Sequence, residues 1–257
     1  MAVALVGVAA AVVATLIVDT MRGTPSAPAA DQEAHAPLPD PVKPAFQPTL
    51  RATDFGAPVS RWAPVLRSVE ARRSPAGDLI TRLSPSTPEG TANIVLLQPG
   101  VRVVRGRLWV RVRLPVLPNN TTGWVTRDAL GGYGEARTRL VVDRRRLTAT
   151  LLRNGREILR VPVGIGKARW PTPEGEFYVR NRLENFDDPS YGPVAFGTSA
   201  RSSVLTDWPA GGFIGIHGTD RPDLLPGRVS HGCIRMENHD ILRLARLMPV
   251  GTPLTIL

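Results

Sequence analysis

One cysteine occurs in the 257 residues, Cys233, and it lies in the run Ser230-His231-Gly232-Cys233-Ile234-Arg235-Met236-Glu237-Asn238. A second histidine, His217, precedes it in Ile214-Gly215-Ile216-His217-Gly218-Thr219. A thiol becomes an effective nucleophile when a neighbouring imidazole or positive field favours the thiolate, and when a base oriented by a third group takes and returns the proton. Cys233 and His217 supply that pair. Glycine beside the nucleophile lets backbone N–H groups approach a reacting carbonyl, so the amides of Gly232 and Cys233 are expected to form an oxyanion hole. Arg235 is placed to receive a substrate carboxylate in a bidentate contact.

Two rival readings of these residues are weaker. A lone cysteine is often only a small buried apolar residue, but the Ser, His and Gly around Cys233 argue for chemistry. His217, His231, Cys233 and His239 are also potential zinc ligands, yet His231 and Cys233 stand too close in sequence for the usual structural-zinc spacings. No metal and no cofactor are expected, and a single cysteine excludes an intrachain disulfide.

These groups need rigid supports. Phe213 to His217 reads as a strand that ends on the histidine, and Cys233 falls just before a helix. Asn238 is the expected N-cap of that helix; Ile241, Leu244, Ala245 and Met248 line one face, and Pro249 stops it. Further strands are expected at Arg139 to Asp143, Leu147 to Leu152, Glu176 to Arg180 and Pro253 to Leu257. Asn154-Gly155 signals a tight hairpin leading into Glu157 to Val163. Upstream, short β-like runs occupy Asn93 to Leu97, Val101 to Val104, Leu108 to Leu114 and Gly123 to Thr126, with Leu108, Val110, Val112 and Leu114 on one face and Arg111 and Arg113 on the other. Gly131-Gly132-Tyr133-Gly134 is the expected joint between the two regions. The class is mainly β with one substantial helix.

The N-terminal run Ala2 to Val18 is unbroken apolar sequence and reads as an export signal or a short membrane anchor. The expected organisation is an anchor or uncleaved signal over 1–22, a Pro/Ala-rich linker over 23–50, a small β-barrel over 64–132 and a catalytic domain over 138–257. With 32 Lys and Arg against 22 Asp and Glu, the formal charge of +10 favours polyanions. No nucleic-acid motif accompanies it, so nucleic acid is not expected as a partner, while anionic lipid and anionic cell-wall polymers both stay open.

The chain resembles two known families. Trp109 to Val112 followed by Gly123-Trp124-Val125 is similar to bacterial SH3-like domains, which implies a small wall-binding or spacing module. The His217-Gly218 pair and the Ser230-His231-Gly232-Cys233 run with Arg235 and Asn238 resemble the signature of the L,D-transpeptidase (YkuD) family. Pro171-Thr172-Pro173-Glu174-Gly175-Glu176-Phe177 and Val163-Gly164-Ile165-Gly166-Lys167 resemble that family's preceding turns. The resemblance implies a β-sandwich, with Cys233 as acyl-accepting nucleophile, His217 as base and the Gly218 carbonyl orienting it. Ser230 and His231 would shape the site, Gly232 and Cys233 would supply the oxyanion hole, and Arg235 would hold substrate. It implies, too, an extracytoplasmic enzyme that cross-links peptidoglycan stem peptides through a thioester. The alternatives are a non-catalytic wall-binding protein and a related carboxypeptidase or protein-to-wall acyl transferase.

Overall fold

The computed structural model describes residues 59–184, 188–206 and 212–257. The expected signal or anchor over Ala2 to Val18, and the linker, lie outside the described residues. Among the described residues no helix is long and apolar enough to cross a membrane.

Seven strands come first: β1 Ser60–Pro64, β2 Val69–Arg72, β3 Leu79–Leu83, β4 Ile94–Val104, β5 Arg107–Arg113, β6 Thr122–Thr126 and β7 Gly134–Ala136. They form one antiparallel sheet in the order β3-β2-β6-β5-β4-β1-β7. Among the described residues no pairing joins β3 to β7, so the expected small barrel takes the form of one sheet whose edge strands do not pair with each other. The sheet runs from Ser60 to Ala136, because Gly134 at the end of the expected joint opens β7 and pairs with Trp62.

Alternation along β4 explains how this sheet is held. Val95 and Leu97 enter its own core with Val110, Val112, Leu114 and Val125. Ile94 and Leu96 face the other way and pack on Tyr178 of the second region, whose hydroxyl donates to the Ile94 carbonyl at 3.1 Å. Both faces of the strand are therefore buried from Ile94 to Gln98, while Val101 to Val103 are exposed. This corrects the expected pairing of Arg111 with Arg113 on an outer face. Arg111 is exposed, but Arg113 is buried and donates to the Glu176 carbonyl at 2.8 Å and to Asn120 Oδ1 at 3.3 Å. The second sheet covers it there, which the sequence period alone does not reveal.

Ten strands follow: β8 Thr138–Asp143, β9 Thr148–Arg153, β10 Arg156–Pro162, β11 Gly164–Gly166, β12 Gly175–Glu184, β13 Val194–Arg201, β14 Phe213–His217, β15 Gly227–Ser230, β16 Ile234–Arg235 and β17 Pro253–Ile256, with helix α1 Asn238–Leu247 before the last. Their order is β10-β9-β8-β17-β12-β13-β14-β16-β11-β15. β10 lies at one edge and β11 next to the other, yet Val163 alone joins them in sequence. In a flat sheet they would stand about 38 Å apart at roughly 4.8 Å per strand, so the sheet must fold back on itself. One core fills the fold, drawing Leu151 and Val161 from one side, Ile214, Ile216 and Ile234 from the other, and Ile241, Leu244, Ala245 and Met248 from the helix side.

The Asn154-Gly155 hairpin forms as expected, with both residues at positive φ, 51° and 78°. The helix start differs from expectation. Glu237 is the N-cap, without a side-chain cap hydrogen bond, and Asn238 is the first helical residue. Its Oδ1 turns away to accept the Thr219 N–H at 2.9 Å.

Candidate active site

β14 lies between β13, antiparallel to it, and β16, parallel to it. With a side-chain period of two, Ile214 and Ile216 enter the core, while Phe213, Gly215 and His217 share the opposite face. His217 and Arg235 are register partners across the parallel pair, which places Arg235 beside the histidine. A pocket of about 200 Å³ opens on this face, lined by Phe213, His217, Ser230, His231, Cys233 and Arg235 together with Asp188, Ser190 and Tyr191.

The loop carrying Cys233 is tied down from several sides. Ser230, buried at the end of β15, donates through Oγ to the Cys233 carbonyl at 2.6 Å and accepts the Gly232 N–H at 3.0 Å. Thr172 Oγ1 donates to the Gly232 carbonyl at 2.6 Å and accepts the Gly166 N–H at 2.9 Å. The Thr-Pro turn thus acts at a distance in sequence on the residue before the nucleophile. Gly232 has φ 123°, a backbone conformation that favours glycine, and a β-carbon there would also press on the terminal methyl of Ile214 at 2.9 Å.

Cys233 Sγ accepts the Gly215 N–H at 3.3 Å. A β-carbon on Gly215 would stand 3.8 Å from that sulfur and 3.9 Å from His217 Cδ2, so the missing side chain leaves open the space between thiol and imidazole. His217 Nδ1 lies 2.7 Å from the Gly218 carbonyl. A carbonyl only accepts, so Nδ1 carries the hydrogen and Nε2 keeps its lone pair. Asn238 steadies the turn bearing this carbonyl through its bond to Thr219.

Electrostatics keep both groups neutral at rest. Burial lowers the His217 pKa to about 4, opposed by the Gly218 carbonyl, while the nearby Arg235 charge lowers it further. Burial also pushes the Cys233 thiol up, opposed by the Gly215 amide and by Arg235. Both shifts favour the neutral thiol and the neutral imidazole, the forms from which proton transfer during attack on a carbonyl would start.

The remaining expected residues fall around this centre. His231 is exposed, its ring 4.0 Å from that of Trp170; its pKa is lowered by burial and by Lys167, Arg235 and Arg169. Arg235 is half-buried, with its Nε enclosed and without a hydrogen-bond partner among the described residues. The Gly232 amide is already engaged by Ser230, so of the two expected oxyanion donors the loop binds one itself. His239 lies on the exposed side of α1 between Glu237 and Asp240, and among the described residues no cluster of three His, Cys, Asp or Glu could hold a metal.

Tyr191 was not anticipated. Its ring stands 4.9 Å from that of His217, carried by a 3-10 turn Pro189–Tyr191 that Asp188 caps through the Ser190 N–H. Burial and the nearby Cys233 raise its pKa. The only sequence signal was the Asp-Pro-Ser turn preceding it.

A thiol, an oriented imidazole and a nearby guanidinium line one pocket, the groups that acyl transfer of the cysteine type requires. Residues 137–256 match the model of the L,D-transpeptidase catalytic domain, YkuD. The chain is 39% identical to YkuD of Bacillus subtilis (strain 168) over 109 residues, covering 42% of this chain and 59% of the relative. It is 36% identical to YkuD of Bacillus licheniformis over 118 residues, covering 46% and 64%. The chain therefore spans less than two thirds of the length of these curated relatives. Among solved structures it is similar to Bd1075 of Bdellovibrio bacteriovorus, at 30% identity over 48% of each chain with a TM-score of 0.39.

Proposed function

We propose that the chain is a peptidoglycan L,D-transpeptidase working through a Cys233 thioester. The observation that carries this reading is the pairing, in one pocket, of Cys233 with a His217 whose Nδ1 is held by the Gly218 carbonyl. In the first half-reaction Sγ attacks the carbonyl carbon of the third residue of a tetrapeptide stem, and Nε2 of His217 takes the thiol proton. The Cys233 N–H donates to the oxyanion, with the Gly232 N–H joining if Ser230 Oγ yields it. Collapse breaks the peptide bond, His217 returns the proton to the leaving D-alanine amine, and the acyl group remains on sulfur. In the second half-reaction an amine of another stem attacks the thioester and loses a proton to His217, which restores the thiol. Arg235 pairs with a stem carboxylate, and Ser230 and His231 shape the approach.

Such a substrate lies outside the cytoplasm, which agrees with the apolar N-terminal run as an export signal or anchor. The first sheet, Ser60 to Ala136, serves as a spacing module, and 138–257 as the catalytic domain. The test is intact-mass analysis of the full chain incubated with a tetrapeptide muropeptide, wild type against Cys233→Ala. The expected result is a Cys233-dependent acyl adduct, release of D-alanine and a cross-linked dimer. Cross-linking retained by Cys233→Ala would overturn the assignment.

A further inference from the structure

Phe213 forms part of the wall of the Cys233 pocket, and the arginines over its ring, from β12 and β13 of the same sheet, lead back to a carboxylate of the first region. The Arg180 guanidinium lies 3.7 Å from the centre of that ring, and Arg201 lies 5.0 Å from it. Arg180 is 3% exposed. Among the described residues its one ion-pair partner is Glu89, at 3.1 Å, from the connection between β3 and β4. That connection is built as a stiff turn. Thr87 N–H donates to the Thr91 carbonyl at 2.8 Å, Gly90 N–H donates to the Thr87 carbonyl at 3.0 Å, and the Thr87 and Thr91 hydroxyls lie 2.8 Å apart. Asn181 Nδ2 donates to Glu89 at 3.2 Å and to Thr91 Oγ1 at 3.0 Å, while its Oδ1 accepts the Gly197 N–H from β13 at 3.0 Å.

We propose that Glu89 is a positioning residue for the Cys233 pocket, acting through Arg180 on the ring of Phe213. A buried guanidinium keeps its place only while a carboxylate compensates its lost hydration. Two arginines approach the same ring and repel each other, and Glu89 is the charge that holds the nearer one over it. Without that carboxylate Arg180 withdraws towards water, and the Phe213 wall loses its backing although neither residue of the pair touches the thiol. The first sheet thus sets the width of a pocket built by the second.

The inference rests on the pocket reading above, but its test needs no acyl transfer. Cys233 is the only cysteine, so its alkylation reports on the pocket directly, whether or not muropeptides are cross-linked. The full chain is treated with iodoacetamide and, separately, with the bulkier N-phenylmaleimide, and the ratio of the two rates is compared across variants. Glu89→Gln and Phe213→Leu should each shift that ratio by at least about twofold, the lower range for residues coupled through a shared contact. The double variant should shift it no further than Phe213→Leu alone. Glu89→Gln with Arg180→Met removes both charges and protects the fold from an unpaired buried cation. It should melt close to wild type and still keep the shifted ratio. A wild-type ratio in that variant, or single effects that simply multiply, would overturn the proposal.

Discussion

Lowering the pH below neutrality distinguishes a buried, neutral His217 from an ordinary surface histidine, and it does so in two observables. With an ordinary pKa near 6.5, roughly three-quarters of the imidazole would be protonated at pH 6. With the value lowered to about 4 by burial, only about one molecule in a hundred is protonated there. Acylation of Cys233 by an activated acyl donor should therefore hold its rate from pH 7 down to about 5.5 and fall only as the pH nears 4. Stability moves in the linked direction. Between pH 6.5 and about 4 the unfolded chain binds a proton that the folded chain refuses, so the native state is favoured fully above 6.5 and loses ground as the pH falls through that window. The whole window is worth about 3 kcal/mol, of which about 2 kcal/mol is lost by pH 5. The assay is urea unfolding at pH 8 and pH 5 for wild type and His217→Gln. Wild type should lose about 2 kcal/mol more than the variant between the two conditions, while His231 and the carboxylates contribute equally to both. Parallel losses, or an acid limb of acylation centred near 6.5, would refute the burial argument.

The thiol makes a complementary prediction: because burial raises its pKa, alkylation by iodoacetamide should go on climbing with pH through 9. A plateau with its midpoint below 7 would indicate a resting thiolate–imidazolium pair and contradict the neutral description. Asn238→Ala removes the acceptor of the Thr219 N–H, a residue only 2% exposed, and should cost about 1–3 kcal/mol in unfolding free energy. The same variant should slow Cys233 acylation by loosening the turn that presents the Gly218 carbonyl to His217. Unchanged acylation with reduced stability would reduce Asn238 to a purely structural role.

Much of the site was legible along the chain because its parts are local. The strand ending on His217 and the Asn154-Gly155 hairpin are short-range patterns and took the predicted form, whereas the Ser230 to Asn238 run departs from it at Asn238, which is not the N-cap, and at Gly232, whose amide Ser230 binds. The ordinary period of two was enough to find β5, β8, β9, β14 and β17. Strands β11, β15 and β16 escaped because two to four residues carry no readable period. β13 escaped because Val194–Arg201 interleaves Gly, Thr and Ser with its apolar residues.

Tertiary structure alone decided which groups meet. Arg111 and Arg113 are equivalent in a period-two pattern, and only the second sheet determines that one is solvated while the other is buried against Glu176. Asn238 has the composition of an N-cap, but a buried amide on another loop claims its side chain. Tyr191 and Thr172 reach His217 and Gly232 across gaps in sequence that no spacing rule encodes. The residue types determined that a thiol and an imidazole were available for chemistry. Their neutrality, the open space at Gly215 and the backing of Phe213 by Glu89 depend on burial and long-range contact, which exist only once the two sheets have packed.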